Sequence, residues 1–327
     1  MTDRYPIVVA GLAAATLATA LASLAIGYVP LPLSDLARGF LGAGDAAPLV
    51  QEIRVPRTLL ALAVGASLGL SGAALQGLLR NPLAEPGVIG ISAAGGLGAV
   101  VALYFGLAAT WPPAQPILSM AGAGLACLLV LGLAGRGASV LSLVLAGVAV
   151  SSFAVALTAL ALNLAPNPYA LSEMIFWLLG SVRDRSLADV ARTVPFMAAG
   201  AAILLASGRG IDALALGDET AISLGVRLRR LRLMIVAGAA LAVGAAASVA
   251  GTIGFVGLVV PHLLRPLVAH RPGRLLVPSA LGGALLLTAA DTLVRLVPTD
   301  AELHLGVVTA LLGAPFFLAL LASLDRR

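Results

Sequence analysis

Long apolar runs alternate along this chain with short breaks carrying arginine, proline and glycine. A hydrocarbon core of about 30 Å needs roughly 20 consecutive apolar residues as a helix. That rule predicts ten spans: 7–29, 56–79, 88–109, 115–134, 138–164, 188–207, 233–250, 252–269, 275–297 and 303–324. The run 233–264 has no formal charge over 32 residues. As one helix it would be about 48 Å long, too long for a bilayer, so Gly251 and Gly254 are predicted to turn it back. Between Pro166 and Arg183 lies a shorter apolar piece, ALSEMIFWLLGS, with Pro168 before it and Gly180 inside its end. At about 11 residues it reads as a re-entrant or interfacial helix. The first run follows Arg4, and its Ala20-Leu21-Ala22 resembles a signal-peptidase site. A signal core is only about 7–15 residues, whereas this run continues past that site, so it reads as a retained span.

One polar interruption, 211–232, stands out between the sixth and seventh spans. Asp212, Asp218 and Glu219 come first, then Gly225, then Arg227, Arg229, Arg230 and Arg232. Leu214, Leu216, Ala221, Ile222, Leu224 and Val226 give it an apolar face of its own, enough for one or two surface helices. Asp218-Glu219-Thr220 sits where a helix would start and Gly225 where one would stop. Two readings stay open, a solvated connector and a docking point for another protein.

Composition agrees with the pattern. The chain is 60% hydrophobic and 11% charged, with a mean hydropathy of +1.05. Soluble domains are nearer 45–50% apolar and about 25% charged. The fold class is therefore all-α and polytopic, a single transmembrane domain over 1–327. All 20 basic residues are arginine, so the pI near 10.3 reflects membrane-flanking charge rather than a nucleic-acid surface. Cys127 is alone, which excludes an intrachain disulfide.

Arginine placement sets the orientation. With the N-terminus inside, residues 4, 80, 136, 209, 227, 229, 230, 232, 265, 271, 274, 326 and 327 give 13 inner arginines. Seven fall outside, at 38, 54, 57, 183, 185, 192 and 295, which matches the positive-inside rule. The 211–232 insert and the tail Asp325, Arg326 and Arg327 are then cytoplasmic. Arg54 and Arg57 share a helix face on the disfavoured side, where guanidinium groups suit a carboxylate-bearing partner. Arg295 follows Asp291 by one helical turn, and that pair reads as an interfacial ion pair. Gly65, Gly69 and Gly72 form a small-residue face suited to close helix packing.

Several ordered segments resemble one family: RVPR (54–57), SGAALQGLLRNPLAEPGVIGIS (71–92), LGDETAISLGV (216–226), GFVGLVVPHLLR (254–265), ADTLVR (290–295) and LGAPFF (312–317). They are similar to the FecCD/BtuC-like permeases of binding-protein-dependent ATP-binding-cassette (ABC) importers for iron chelates, haem and vitamin B12. The resemblance implies ten spans per subunit in the bacterial inner membrane. It also implies a homodimer, two cytoplasmic ATPase subunits and a periplasmic substrate-binding protein. By position, it implies that Arg54, Arg57 and Arg295 receive glutamates of the binding protein. Asp218, Glu219, Thr220, Ala221, Leu224 and Gly225 match the coupling helices that sit in the ATPase. Asn81, Leu83, Val140 and Leu141 fall where the family narrows its cytoplasmic gate. Arg183-Asp184-Arg185 is more charged than the family pattern and reads either as extra docking surface or as a solvated turn.

The chain has no lysine, and a Walker A loop needs one on the phosphates, so hydrolysis is expected in a partner that binds ATP and Mg. No cofactor, metal site or catalytic residue is expected here, since His262, His270 and His304 are scattered. The resemblance implies alternating access about the fifth, eighth and tenth spans. The WLLGS and LAEPGVIGIS segments look most like those of haem-importer permeases, which implies a haem cargo, with ferric siderophore and cobalamin as alternatives. The competing class is a secondary transporter or channel driven by an ion gradient, whose mark is ionisable residues buried in mid-span. Glu85, Glu173 and Asp291 fall near the ends of their segments.

Overall fold

The computed structural model describes residues 4–27, 29, 31–135, 139–297 and 303–324. Arg136 and the tail at 325–327, which enter the charge asymmetry, lie outside the described residues. Within them every regular element is a helix. In chain order these are α1 (Tyr5–Ala25), α2 (Leu33–Phe40), α3 (Val55–Leu79), α4 (Ile91–Tyr104), α5 (Leu107–Thr110), α6 (Ala114–Ala134), α7 (Val140–Asn163) and α8 (Pro168–Leu179). There follow α9 (Leu187–Ala206), α10 (Gly208–Leu214), α11 (Asp218–Ser223), α12 (Leu228–Ala250), α13 (Val256–Leu264), α14 (Pro272–Val294) and α15 (Leu305–Leu324). A π-helical turn, Leu49–Arg54, leads into α3, and 3-10 turns occupy Pro86–Ile89 and Arg265–Val268.

Each predicted span holds a helix; among the described residues seven are long and apolar enough to cross a membrane, and Ile91–Tyr104, Val256–Val268 and Leu305–Ala319 are shorter apolar helices. The first two of these three correct the predicted lengths. The third span shortens to the 14 residues of α4, because Pro86–Ile89 is a 3-10 turn and Gly90, at φ +79, stops it before α4 begins. The eighth reduces to 256–268, about 20 Å at helical rise, short of the bilayer. Gly251 breaks the charge-free run as predicted, with φ +69. The second break is Phe255 at φ +67, and Gly254 has no left-handed backbone.

Non-helical backbone at membrane depth persists only where protein buries it. Here the ends of α8, α12 and α15 close around it. Ser181 N–H donates to Ala250 O at 2.8 Å, Thr252 Oγ1 to Leu178 O at 2.5 Å, and Gly306 N–H to Gly180 O at 3.4 Å. A Cβ on Gly251 would stand 2.1 Å from Trp177 O, so chain reversal and close contact both need glycine.

α3 is the central helix, packed on α14, α12, α13 and α9. The small-residue face read from the sequence works inside the chain. A Cβ on Gly65 would meet Gly283 O at 2.3 Å, one on Gly69 would meet Ser279 O at 2.1 Å, and one on Gly72 would meet Gly257 O at 1.9 Å. Gly65 and Gly69 thus seat α14, while Gly72 seats α13. Gly69→Ala is expected to cost about 1–3 kcal/mol by forcing α14 away. Its thermal midpoint in detergent should fall below that of Gly124→Ala, whose added methyl meets nothing within 4 Å.

Candidate functional site

Three of the predicted outer arginines converge where α1 and α14 end and α3 begins, and all three are buried, at 3% for Arg54, 7% for Arg57 and 6% for Arg295. Arg54, on the π-helical turn, donates to Leu24 O and Ala25 O at 2.8 Å each and also to Val29 O. Arg57 grips Asp291 with Nε 3.0 Å from both oxygens and Nη2 2.9 Å from Oδ1. Arg295 reaches Asp291 Oδ2 at 3.1 Å and donates to Ser23 O, Ile26 O and Ser23 Oγ. The last carbonyls of α1, which have no partner inside their own helix, are thereby satisfied by side chains from α14 and the turn before α3. The Asp291–Arg295 pair was legible from its spacing, and the arrival of Arg57 on the same carboxylate was not.

These arginines form one wall of a cavity of about 610 Å³, shared with Glu52, Arg183, Asp184 and Arg185. Its exposed rim is the Arg183–Asp184 pair, bridged at 3.2 Å. Arg185 lies deeper, its guanidinium 4.7 Å from the Trp177 ring centroid. Burial pushes Arg185 below the ordinary arginine value, while Asp189 and Asp184 act the other way.

At the opposite end of the bundle, α10 and α11 form the surface pair predicted from the insert. Gly217 at φ +106 separates them and Gly225 at φ +85 ends the second. Asp212 Oδ1 accepts the Gly273 N–H at 2.8 Å, fastening α10 to the start of α14. Asp218 bridges two helices, with Oδ1 2.7 Å from Arg80 Nη2 and Oδ2 2.9 Å from Arg232 Nη2. The six residues matched to the coupling helices therefore divide. Asp218 and the buried Ala221 face the bundle, while Glu219, Thr220, Leu224 and Gly225 are exposed, beside exposed Leu216 and Ile222.

Of the residues matched to the gate, Asn81 and Leu83 are joined by a turn in which Asn81 Oδ1 accepts the Leu83 N–H at 2.9 Å. Val140 and Leu141 open α7, whose N-cap Ser139 takes the Ser142 N–H at 3.1 Å, and Leu141 is exposed. A polar clasp that the sequence did not signal lies nearby. Gln76 Nε2 donates to Gly257 O and Leu258 O, and its Oε1 accepts from Arg265 Nη2 at 2.5 Å, holding short α13 to α3. Of the histidines, His262 meets Phe316 edge-on and His304 stacks on Phe176.

The FecCD transport family matches residues 15–323. The Fe(3+) dicitrate transport system permease protein FecD of Escherichia coli is 38% identical, over 93% of this chain and 95% of its own. The cobalamin import system permease protein BtuC of Halobacterium salinarum is 40% identical over 85% and 74%. The hemin transport system permease protein HmuU of Yersinia pestis is 38% identical over 83% and 82%. A solved ABC transporter of metal-chelate type, in an inward-facing conformation, superposes with a TM-score of 0.86 at 30% identity, covering 97% of this chain and 99% of that one. Since the match runs through every helix that builds both ends of the bundle, this chain belongs to the FecCD transport family.

Proposed function

We propose that the chain is the membrane permease of an ABC importer, working as a pair of identical copies with two ATPase subunits and a substrate-binding protein. The supporting observation is the divided surface of α11: one side is ion-paired to α3 and α12 through Asp218, and the other is exposed, presenting Leu216, Ile222 and Leu224 beside Glu219 and Thr220. A helix so placed passes an external push to two spans at once. On the arginine asymmetry this face is cytoplasmic, as are both termini, and the Arg183 cavity faces the periplasm. The relatives named for ferric dicitrate, cobalamin and hemin stand at similar identity, so the cargo is assigned as a metal-centred chelate. Haem heads that class on the WLLGS and LAEPGVIGIS segments. Asp291, the fully buried carboxylate, is occupied by two arginines, which disfavours its use as a gradient-coupled proton or ion site.

Proteoliposomes carrying all subunits should take up one of haem, ferric siderophore and cobalamin when ATP is supplied. Uptake by the chain without its ATPase would overturn the assignment. On the outer face, Arg54, Arg57 and Arg295 serve the binding protein as the floor of the cavity, and Arg183 meets it at the rim. Arg183→Glu should therefore reduce binding-protein stimulation of the ATPase about tenfold or more, because a rim charge acts on encounter and like charges repel. The fold should be spared, since Arg183 is about half exposed. Unchanged stimulation would remove the rim from the docking surface.

A further inference from the structure

The four arginines that open α12 divide between two sides of the helix. Arg227 and Arg230 line a recess with Gly210 and Gly225, next to the surface helices. Arg229 and Arg232 instead stand at a seam of about 360 Å³ between α6, α7 and α12. Below them the seam is apolar, walled by Leu128, Leu131, Leu143 and Leu233. It continues onto the outer surface of α6, where Leu125, Leu128, Leu129 and Leu133 are 44–69% exposed. α6 and α12 are both long enough to span, so these leucines lie at acyl-chain depth and the arginines at the end of the span.

We propose that this seam binds an anionic phospholipid, its phosphate between Arg229 and Arg232 and one acyl chain along Leu128, Leu131 and Leu233. Two guanidinium groups above an apolar trough match a molecule with a charged head and a hydrocarbon tail. Basic recesses between spans hold such headgroups, at roughly 1 kcal/mol per arginine. Arg232 also holds Asp218 of α11, so the bound phosphate shares an arginine with that helix. Lipid occupancy thereby bears on how firmly α11 is braced, a consequence that rests on the coupling role proposed above.

The test uses the full-length chain in detergent, titrated with phosphatidylglycerol or phosphatidylcholine and read by native mass spectrometry. Phosphatidylglycerol should be retained in preference. Arg229→Gln should weaken that retention roughly fivefold. Leu128→Trp, which fills the trough at a 69% exposed position without changing charge, should weaken it as well. Arg230→Gln removes the same charge from the other side of the helix and should leave retention unchanged. Equal losses for Arg229→Gln and Arg230→Gln would show diffuse surface attraction and overturn the proposal. So would displacement of the lipid by soluble glycerol phosphate. Unchanged retention in Arg229→Gln, with weakened ATPase binding instead, would reassign that arginine to the ATPase surface. No ATPase or binding protein is needed for the lipid readout, so its failure is separable from failure of the importer assignment.

Discussion

Asp291→Ala is expected to leave little folded chain. The carboxylate has no exposure and is shared by two buried guanidinium groups, Arg57 from α3 and Arg295 from the end of α14. Removing it leaves two like charges together with no counter-ion. Breaking a buried pair in this way costs about 3–5 kcal/mol. Folded domains are stable by only about 5–15 kcal/mol in all. The loss should also spread, because Arg295 holds the end of α1 through Ser23 and Ile26. Asp291→Asn keeps the shape and one acceptor, so it should fall between alanine and the parent. Removing both partners, as in Arg57→Leu with Asp291→Leu, should recover part of the loss, since no half-pair then remains on α3. The thermal midpoint of the detergent-solubilised chain orders the series. An alanine variant melting with the parent would show that these charges do not hold the three helices together.

That network marks a limit of what sequence discloses. Asp291 and Arg295 are one turn apart, so their pairing is legible from helical period alone. Arg57 lies 234 positions from Asp291, and its arrival depends on how α3 is rotated against α14. That rotation is set by Gly65 and Gly69 meeting Gly283 and Ser279, a fit between backbones that hydropathy does not register. The same physics explains α13. In lipid, an apolar residue is equally at home in a helix or in a buried extended strand, so the run 252–269 read as one span. Gly251 ends α12, residues 251–254 are not helical and α13 starts only after Phe255, while Gln76, Gly180 and Gly306 supply neighbours that make the break tolerable. By contrast, α11 was legible because its acidic start and Gly225 stop are local signals. Its partners were not, since Arg80 is 138 positions away.

Leu224→Arg combined with Glu219→Arg is expected to abolish ATP-driven uptake, and comparison with Asp218→Asn separates docking from transmission. Leu224 and Glu219 lie on the exposed side of α11, where the ATPase is proposed to sit. Two arginines there place unpaired charge in an interface whose apolar anchors carry most of the affinity. An anchor of that kind is worth about 2 kcal/mol or more, some thirtyfold in binding. ATPase subunits should then no longer co-purify with the permease, and both uptake and stimulated hydrolysis should vanish. Asp218→Asn alters the other side of the same helix. Its carboxylate ties α11 to Arg80 and Arg232, so amidation removes both ion pairs while leaving Leu224 untouched. ATPase binding should persist, and hydrolysis with it, while uptake per ATP falls several-fold because the push no longer reaches α3 and α12 together. An Asp218→Asn permease with unchanged stoichiometry would show that the tie is not the transmission path. If Leu224→Arg with Glu219→Arg kept full uptake, the ATPase would have to grip the bundle elsewhere, and α11 would be a brace for α3 and α12 rather than the point where force enters.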